Sequence, residues 1–207
     1  MKMRILTALL VCSVLSAAPA VAQQARESSE TLNKTLRPAV SIVVNGDRAV
    51  TQTSVYNYLR KEGVPVSKGK IMKAEATMFN RLSPQYLNVY AMVQTVDKKL
   101  QTQKVSILLS TGAGEDAPFI SPTTDKETVD KLKDLLENSF VPFHNDFVKE
   151  TNIGNQEKVI AASNKKLKSL EKELDRLNSS VEKTKSLIEK QRQMIAQQEE
   201  ALKDLKK

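Results

Sequence analysis

The chain contains no tryptophan, one cysteine, one histidine and six glycines in 207 residues, and 4% of its residues are aromatic. Each scarcity removes a class of chemistry. A lone His and a lone Cys cannot assemble the usual zinc or thiolate sites, which draw several ligands from those residue types. The few glycines leave one string that resembles a phosphate loop, Gly112-Ala113-Gly114-Glu115-Asp116-Ala117. Pro118 and Pro122 block the helix whose N-terminus would hold a pyrophosphate, and Glu115 and Asp116 would repel one. The string therefore reads as a turn. The charge, +8 overall, is interleaved with acids instead of clustered, and the C-terminal quarter has no aromatics to stack on bases, so no nucleic-acid partner is expected. His144 has Asp146 close by but no nucleophile elbow, and it reads as a helix-surface residue. No catalytic residue, cofactor or metal is expected, and the chain reads as a non-enzyme.

What is present begins with an export signal. Lys2 and Arg4 precede an apolar run from Ile5 to Leu15, and Ala20-Val21-Ala22 supplies an A-x-A cleavage site before Gln23. Ser13, Ser16 and Pro19 interrupt that run short of the roughly 20 apolar residues a spanning helix needs. Cleavage near Ala22 would remove Cys12, leaving a disulfide-free periplasmic or secreted protein with no membrane span.

Residues 23–37 are polar and read as a loose leader, and residues 38–154 as a head domain. A first strand is expected over Ala39–Val44, ended by Asn45-Gly46-Asp47. A helix follows over Ser54–Glu62, capped by Thr53 and closed by Gly63, with Val55, Tyr58 and Leu59 buried. Val64–Ser67 reads as a short strand before Ile71–Phe79, whose period of two places Met72, Ala74, Ala76 and Met78 on one face. Leu87–Val96 and Lys104–Ser110 turn Leu87, Val89, Ala91 and Val93, and Val105, Ile107 and Leu109, inward. Thr124 and Glu127 form a capping box for a last helix through Val129, Leu132, Leu136 and Phe140. Pro142 is expected to kink or end it before Phe143 and Phe147, and Thr151–Gly154 to break the chain. The expected class is α+β: an antiparallel sheet in the order strand, helix, four strands, helix, with helices on one face.

Residues 155–207 carry the strongest pattern. With no Gly or Pro after Gly154, one heptad runs from Ile160 to Leu205. Its a positions are Ile160, Leu167, Leu174, Val181, Ile188, Ile195 and Leu202; its d positions are Ser163, Leu170, Leu177, Thr184, Gln191, Gln198 and Leu205. Leu187, Met194 and Ala201 at g widen the stripe where the glutamines weaken d, which suits three or more helices, or a helix packed on another body. The expected interface is Ile160, Leu167, Leu170, Leu174, Leu177, Val181, Leu187, Ile188, Met194, Ile195, Leu202 and Leu205 in a coiled coil with itself or another helical protein. A hairpin turning at Asn178-Ser179-Ser180 is the alternative.

The run Val55-Tyr56-Asn57-Tyr58-Leu59-Arg60-Lys61-Glu62-Gly63, then Asn88-Val89-Tyr90-Ala91, then the Lys/Glu/Leu tail resembles a family of small exported Bacteroidota proteins without an assigned function. The order of elements is also similar to the TATA-box-binding-protein-like fold, an analogy that carries no DNA binding with it. The resemblance implies no functional residues. The expected function is oligomerisation or partner docking of the head through the tail; the alternative is binding of a small ligand or of unfolded clients, through the tail or the sheet face around Met72–Met78.

Overall fold

The computed structural model describes residues 23–112 and 117–205; the expected signal with Cys12, and residues 113–116 of the glycine string, lie outside them. The chain divides into two compact units, residues 1–150 and 151–207.

In the first unit, strands β1 (Arg26–Leu32) and β2 (Thr35–Asn45) form a hairpin. Asn33 and Lys34 join them with φ of 49° and 66°, the left-handed pair that a tight two-residue hairpin turn requires. Residues 26–32 are therefore not part of a loose leader. Their face is polar because it is held by hydrogen bonds instead of apolar packing. Helix α1 (Arg48–Lys61) starts ahead of the expected Ser54, since the Asp47 carboxylate accepts the Ala49 N–H at 2.7 Å and caps it. Thr53 is not the cap, and its hydroxyl donates back to Ala49 O at 2.8 Å. Gly63 ends the helix at φ +84°, and Val55, Tyr58 and Leu59 are buried as expected.

Strands β3 (Ile71–Met78), β4 (Tyr86–Asp97) and β5 (Thr102–Ser110) complete a five-stranded antiparallel sheet in the order β1-β2-β5-β4-β3. Val64–Ser67 is not a strand: Val64 and Val66 are buried, and the Ser67 N–H bonds Lys73 O at 2.9 Å. The order is thus two strands, helix, three strands, within the expected α+β class. A bulge between Ala74 and Thr77, with Ala76 at φ +45° and its N–H on the Asn88 side chain, breaks the alternation of β3. Met72 and Ala74 stay inside, Thr77 replaces Ala76 there, and Met78 turns out to 39% exposure.

One face of the sheet carries the main core, in which Ile42, Val44, Leu87, Val89, Ala91, Val105 and Ile107 meet Leu59 of α1. Helix α2 (Lys126–Leu135) adds Val129, Leu132 and Leu135. Its cap is Asp125, which accepts the Thr128 N–H at 3.0 Å and hydroxyl at 2.7 Å, and not the Thr124–Glu127 box. Thr124 closes the preceding turn instead, accepting from Ser121 N. A π-helical turn, Leu136–Phe140, leads into α3 (Val141–Leu205). The Val141 N–H reaches back to Leu136 O, and this wider ladder accommodates Pro142, which neither supplies an N–H nor tolerates the normal spacing. Pro142 therefore does not end the helix. Thr151–Gly154 does not break it either; a mid-helix Gly costs about 1 kcal/mol without terminating a long run.

The second unit is the remainder of α3. It is one helix through Asn178-Ser179-Ser180, so the hairpin does not form. The Ser179 and Thr184 hydroxyls bond Asp175 O and Ser180 O, each one turn back along that helix, at 3.0 Å.

Candidate functional site

The expected interface is displayed on α3 as an open stripe. Ile160, Leu167, Leu170, Leu174, Leu177, Val181, Leu187, Ile188, Met194, Ile195 and Leu202 are all exposed, from 46% at Ile195 to 66% at Leu187; Leu205 ends the helix. Val159 at the preceding g position is exposed as well. The helical spacing puts the a and d residues on one stripe, with Leu187 and Met194 beside it. Monomeric proteins seldom leave so long an apolar row open, because each buried Leu or Ile is worth about 1.5–3 kcal/mol. Lys185 and Glu182, off the stripe, pair at 2.7 Å.

His144 sits elsewhere than expected. It is fully buried, one turn after Phe140 on the inner side of α3, with ring centroids 5.6 Å apart. Its Nε2–H donates to Asn45 O at 2.8 Å, while Nδ1 has no partner. Burial holds its pKa below the usual value, against the opposing pull of the Asn45 carbonyl. Gly46 lies against the ring: a Cβ there would come within 3.5 Å of Nε2 and 3.2 Å of Thr51 Oγ1. Asp146 is exposed on the opposite side. Phe140 and Phe143 pack on Tyr58 at 5.4 Å, and Phe143 stacks on Phe147 at 6.3 Å, so these aromatics extend the core. Burial, then the Glu62 carboxylate, pushes the Tyr58 phenol up to about 12. The arrangement is a buried base packed between Phe140 and Gly46.

A second polar cluster was missed by sequence reasoning. Glu30 on β1 is 4% exposed, and its carboxylate accepts from Lys104 Nζ at 2.6 Å, Ser106 Oγ at 2.8 Å and Gln94 Nε2 at 2.9 Å. Ser106 also bonds Ser41, which bonds Ser28. Three donors satisfy the buried charge, which makes the cluster a clamp between β1, β4 and β5. Beside it Leu32, Ala39, Tyr90, Met92 and Leu108 form a small apolar cluster with Phe119, over whose ring Arg37 lies at 4.9 Å.

The strand β5 is followed by chain that folds back, with Thr111 N–H on Pro118 O and Ile120 N–H on Leu109 O, and Ala117–Ile120 is not helical. Glu199 and Glu200 are exposed on α3. A crevice of about 30 Å³ between the sheet and α2 has room for one water, and a groove of about 590 Å³ is lined by Arg81, Lys126, Lys131, Glu127, Asp130 and Asp134, whose charges balance. Among the described residues no group of His, Cys, Asp and Glu is arranged to hold a metal ion, and no helix is long and apolar enough to cross a membrane. No protein-family model matches the chain, and neither does any curated protein or solved structure.

Proposed function

We propose that this is a non-enzymatic, exported envelope protein whose C-terminal helix assembles or docks its small α+β head by forming a coiled coil. The observation that carries the reading is the stripe from Ile160 to Leu202, open in the single chain along its whole length. In the head, the buried Glu30 carboxylate is satisfied by three donors, and the groove beside Arg81 has balanced charges. The n-region, apolar run and A-x-A site at residues 1–22 support export. Deleting residues 156–207 tests the reading: the mass per particle measured by light scattering is expected to fall to that of one head with the head still folded. An unchanged mass together with undiminished partner binding would refute it.

A second reading is that the stripe holds unfolded clients. The same open apolar residues favour it, alongside the 13 basic against 9 acidic residues of residues 155–207. Suppression of aggregation of an unfolded outer-membrane protein by the full chain, lost on the same deletion, would select it.

A further inference from the structure

We infer that the helix assembles with further copies of itself in parallel and in register; this rests on the proposed coiled coil and goes beyond it in fixing orientation and alignment. The argument is one of matching layers. In an antiparallel coiled coil each d residue lies opposite an a residue of the neighbouring helix, whichever heptads overlap. All seven a positions of α3 are aliphatic, from Ile160 to Leu202. Antiparallel pairing would therefore set the amides of Gln191 and Gln198 and the hydroxyl of Thr184 against Ile, Leu or Val, with no partner for their polar atoms. Parallel pairing sets d against d. A glutamine amide carries both donor and acceptor, so where Gln191 meets Gln191 and Gln198 meets Gln198 an N–H of one amide can donate to the oxygen of the other. A single buried polar position of this kind is a well-attested means of fixing register, and α3 has two in successive heptads. Sliding one copy by a heptad would bring Gln198 against Leu205 and Leu177 against Thr184.

Charge agrees with the in-register pairing. Each g residue then faces the e residue five positions on in its neighbour: Lys166 faces Glu171, Glu173 faces Asn178, Ser180 faces Lys185, Leu187 faces Arg192 and Met194 faces Glu199, with no like charges opposed. These side chains are exposed on α3. The apolar g residues Leu187 and Met194 flank the two glutamine layers and would shield their amides from water.

The test uses the full chain with Cys12→Ser, so that an introduced thiol is the only one. Spin-labelled Lys165→Cys, at an outward f position, is expected to give label separations of about 20–30 Å, the width of a small bundle; antiparallel overlap would separate them by about 50 Å at 1.5 Å per residue. Leu170→Cys, which places both thiols in one d layer and keeps both glutamine layers, is expected to oxidise to a covalent dimer, which a one-heptad slip would prevent. Light scattering on the same samples separates the two claims. A multimer with the long separation, or without the crosslink, overturns parallel in-register assembly and leaves self-association standing. A monomer at all concentrations overturns both.

Discussion

The two units of the chain bury their apolar residues in opposite ways. In the head, Ile42, Val89, Val105 and Leu59 are fully buried by strands and helices of the same chain. On α3 beyond Glu150, every apolar residue that the heptad places on the stripe from Ile160 to Leu202 is exposed. Both patterns follow from the same energetics. An exposed helix stripe has its burial energy left to spend on another molecule. The head closes its main core with its own elements, and its buried Glu30 cluster holds strands together.

The sharpest way to break this contrast is to make the same kind of cut in both units. Phe140→Ala is expected to cost the head about 3–5 kcal/mol in chemical denaturation, as for other fully buried Phe residues. Leu174→Ala should leave the head's transition where it was and move only the concentration dependence of assembly. A head transition displaced by Leu174→Ala would show that the two units are not energetically separate.

A smaller effect is expected at the clamp. Glu30→Gln keeps the shape but turns one acceptor oxygen into a donor facing Lys104 or Gln94, and should lower the denaturation free energy by about 1–3 kcal/mol. An unchanged midpoint would mean that the hairpin β1–β2 is held by its backbone ladder alone.

His144 sharpens the comparison through pH. Its pKa is lowered in the folded head, so on acidification below about 6.5 the unfolded chain takes up a proton that the folded one resists. Stability present above that pH is therefore lost as pH falls, with a limiting slope of about 1.4 kcal/mol per pH unit for one proton. Melting curves between pH 7.5 and 5 should show this slope in the parent and a flatter one in His144→Gln. Equal slopes would place the ring in contact with water.

The smallest of the four concerns Asp125→Ala, which removes the cap of α2 and should cost about 1 kcal/mol near neutral pH. The Thr128 hydroxyl and N–H hold the Asp125 carboxyl below its ordinary value, so its contribution is present above the usual Asp range and is lost as pH falls through it. Parent and variant should converge in acid; a constant gap would mean that the effect is one of helix propensity.

What the sequence disclosed and what it hid have a common physical cause. Wherever burial is apolar and periodic, residues could be placed by counting: Leu87 to Val93 on β4, Val105 to Leu109 on β5, Val55 and Leu59 on α1. The strand β1 stayed hidden because its inward partners are Ser41, Ser106 and Lys104, so the signal was small polar residues at period two and not apolar ones. The face of β3 was misjudged by a single extra residue in its bulge, which no local composition announces. His144 was placed on the helix surface because no nucleophile or metal-site companions accompany it, a test of chemistry that says nothing about burial. Its spacing from Phe140, one helical turn, was the clue available. On α3 the absence of Gly and Pro after Gly154 made the long helix legible.

The strand order has a consequence for the order of events as the chain is made. The hairpin β1–β2 leaves the ribosome first, yet the other side of β2 is closed by β5, with Val40 against Ile107 and Asn45 against Thr102. Until synthesis has passed Ser110, β2 has a bare row of backbone donors and acceptors, and the Glu30 carboxylate waits for Gln94, Lys104 and Ser106. β4 and β5 likewise meet across a short turn and can pair as soon as both exist. The sheet is therefore closed only when β5 joins β2, and a nascent chain paused before β5 would present an open strand edge for a chaperone to cover.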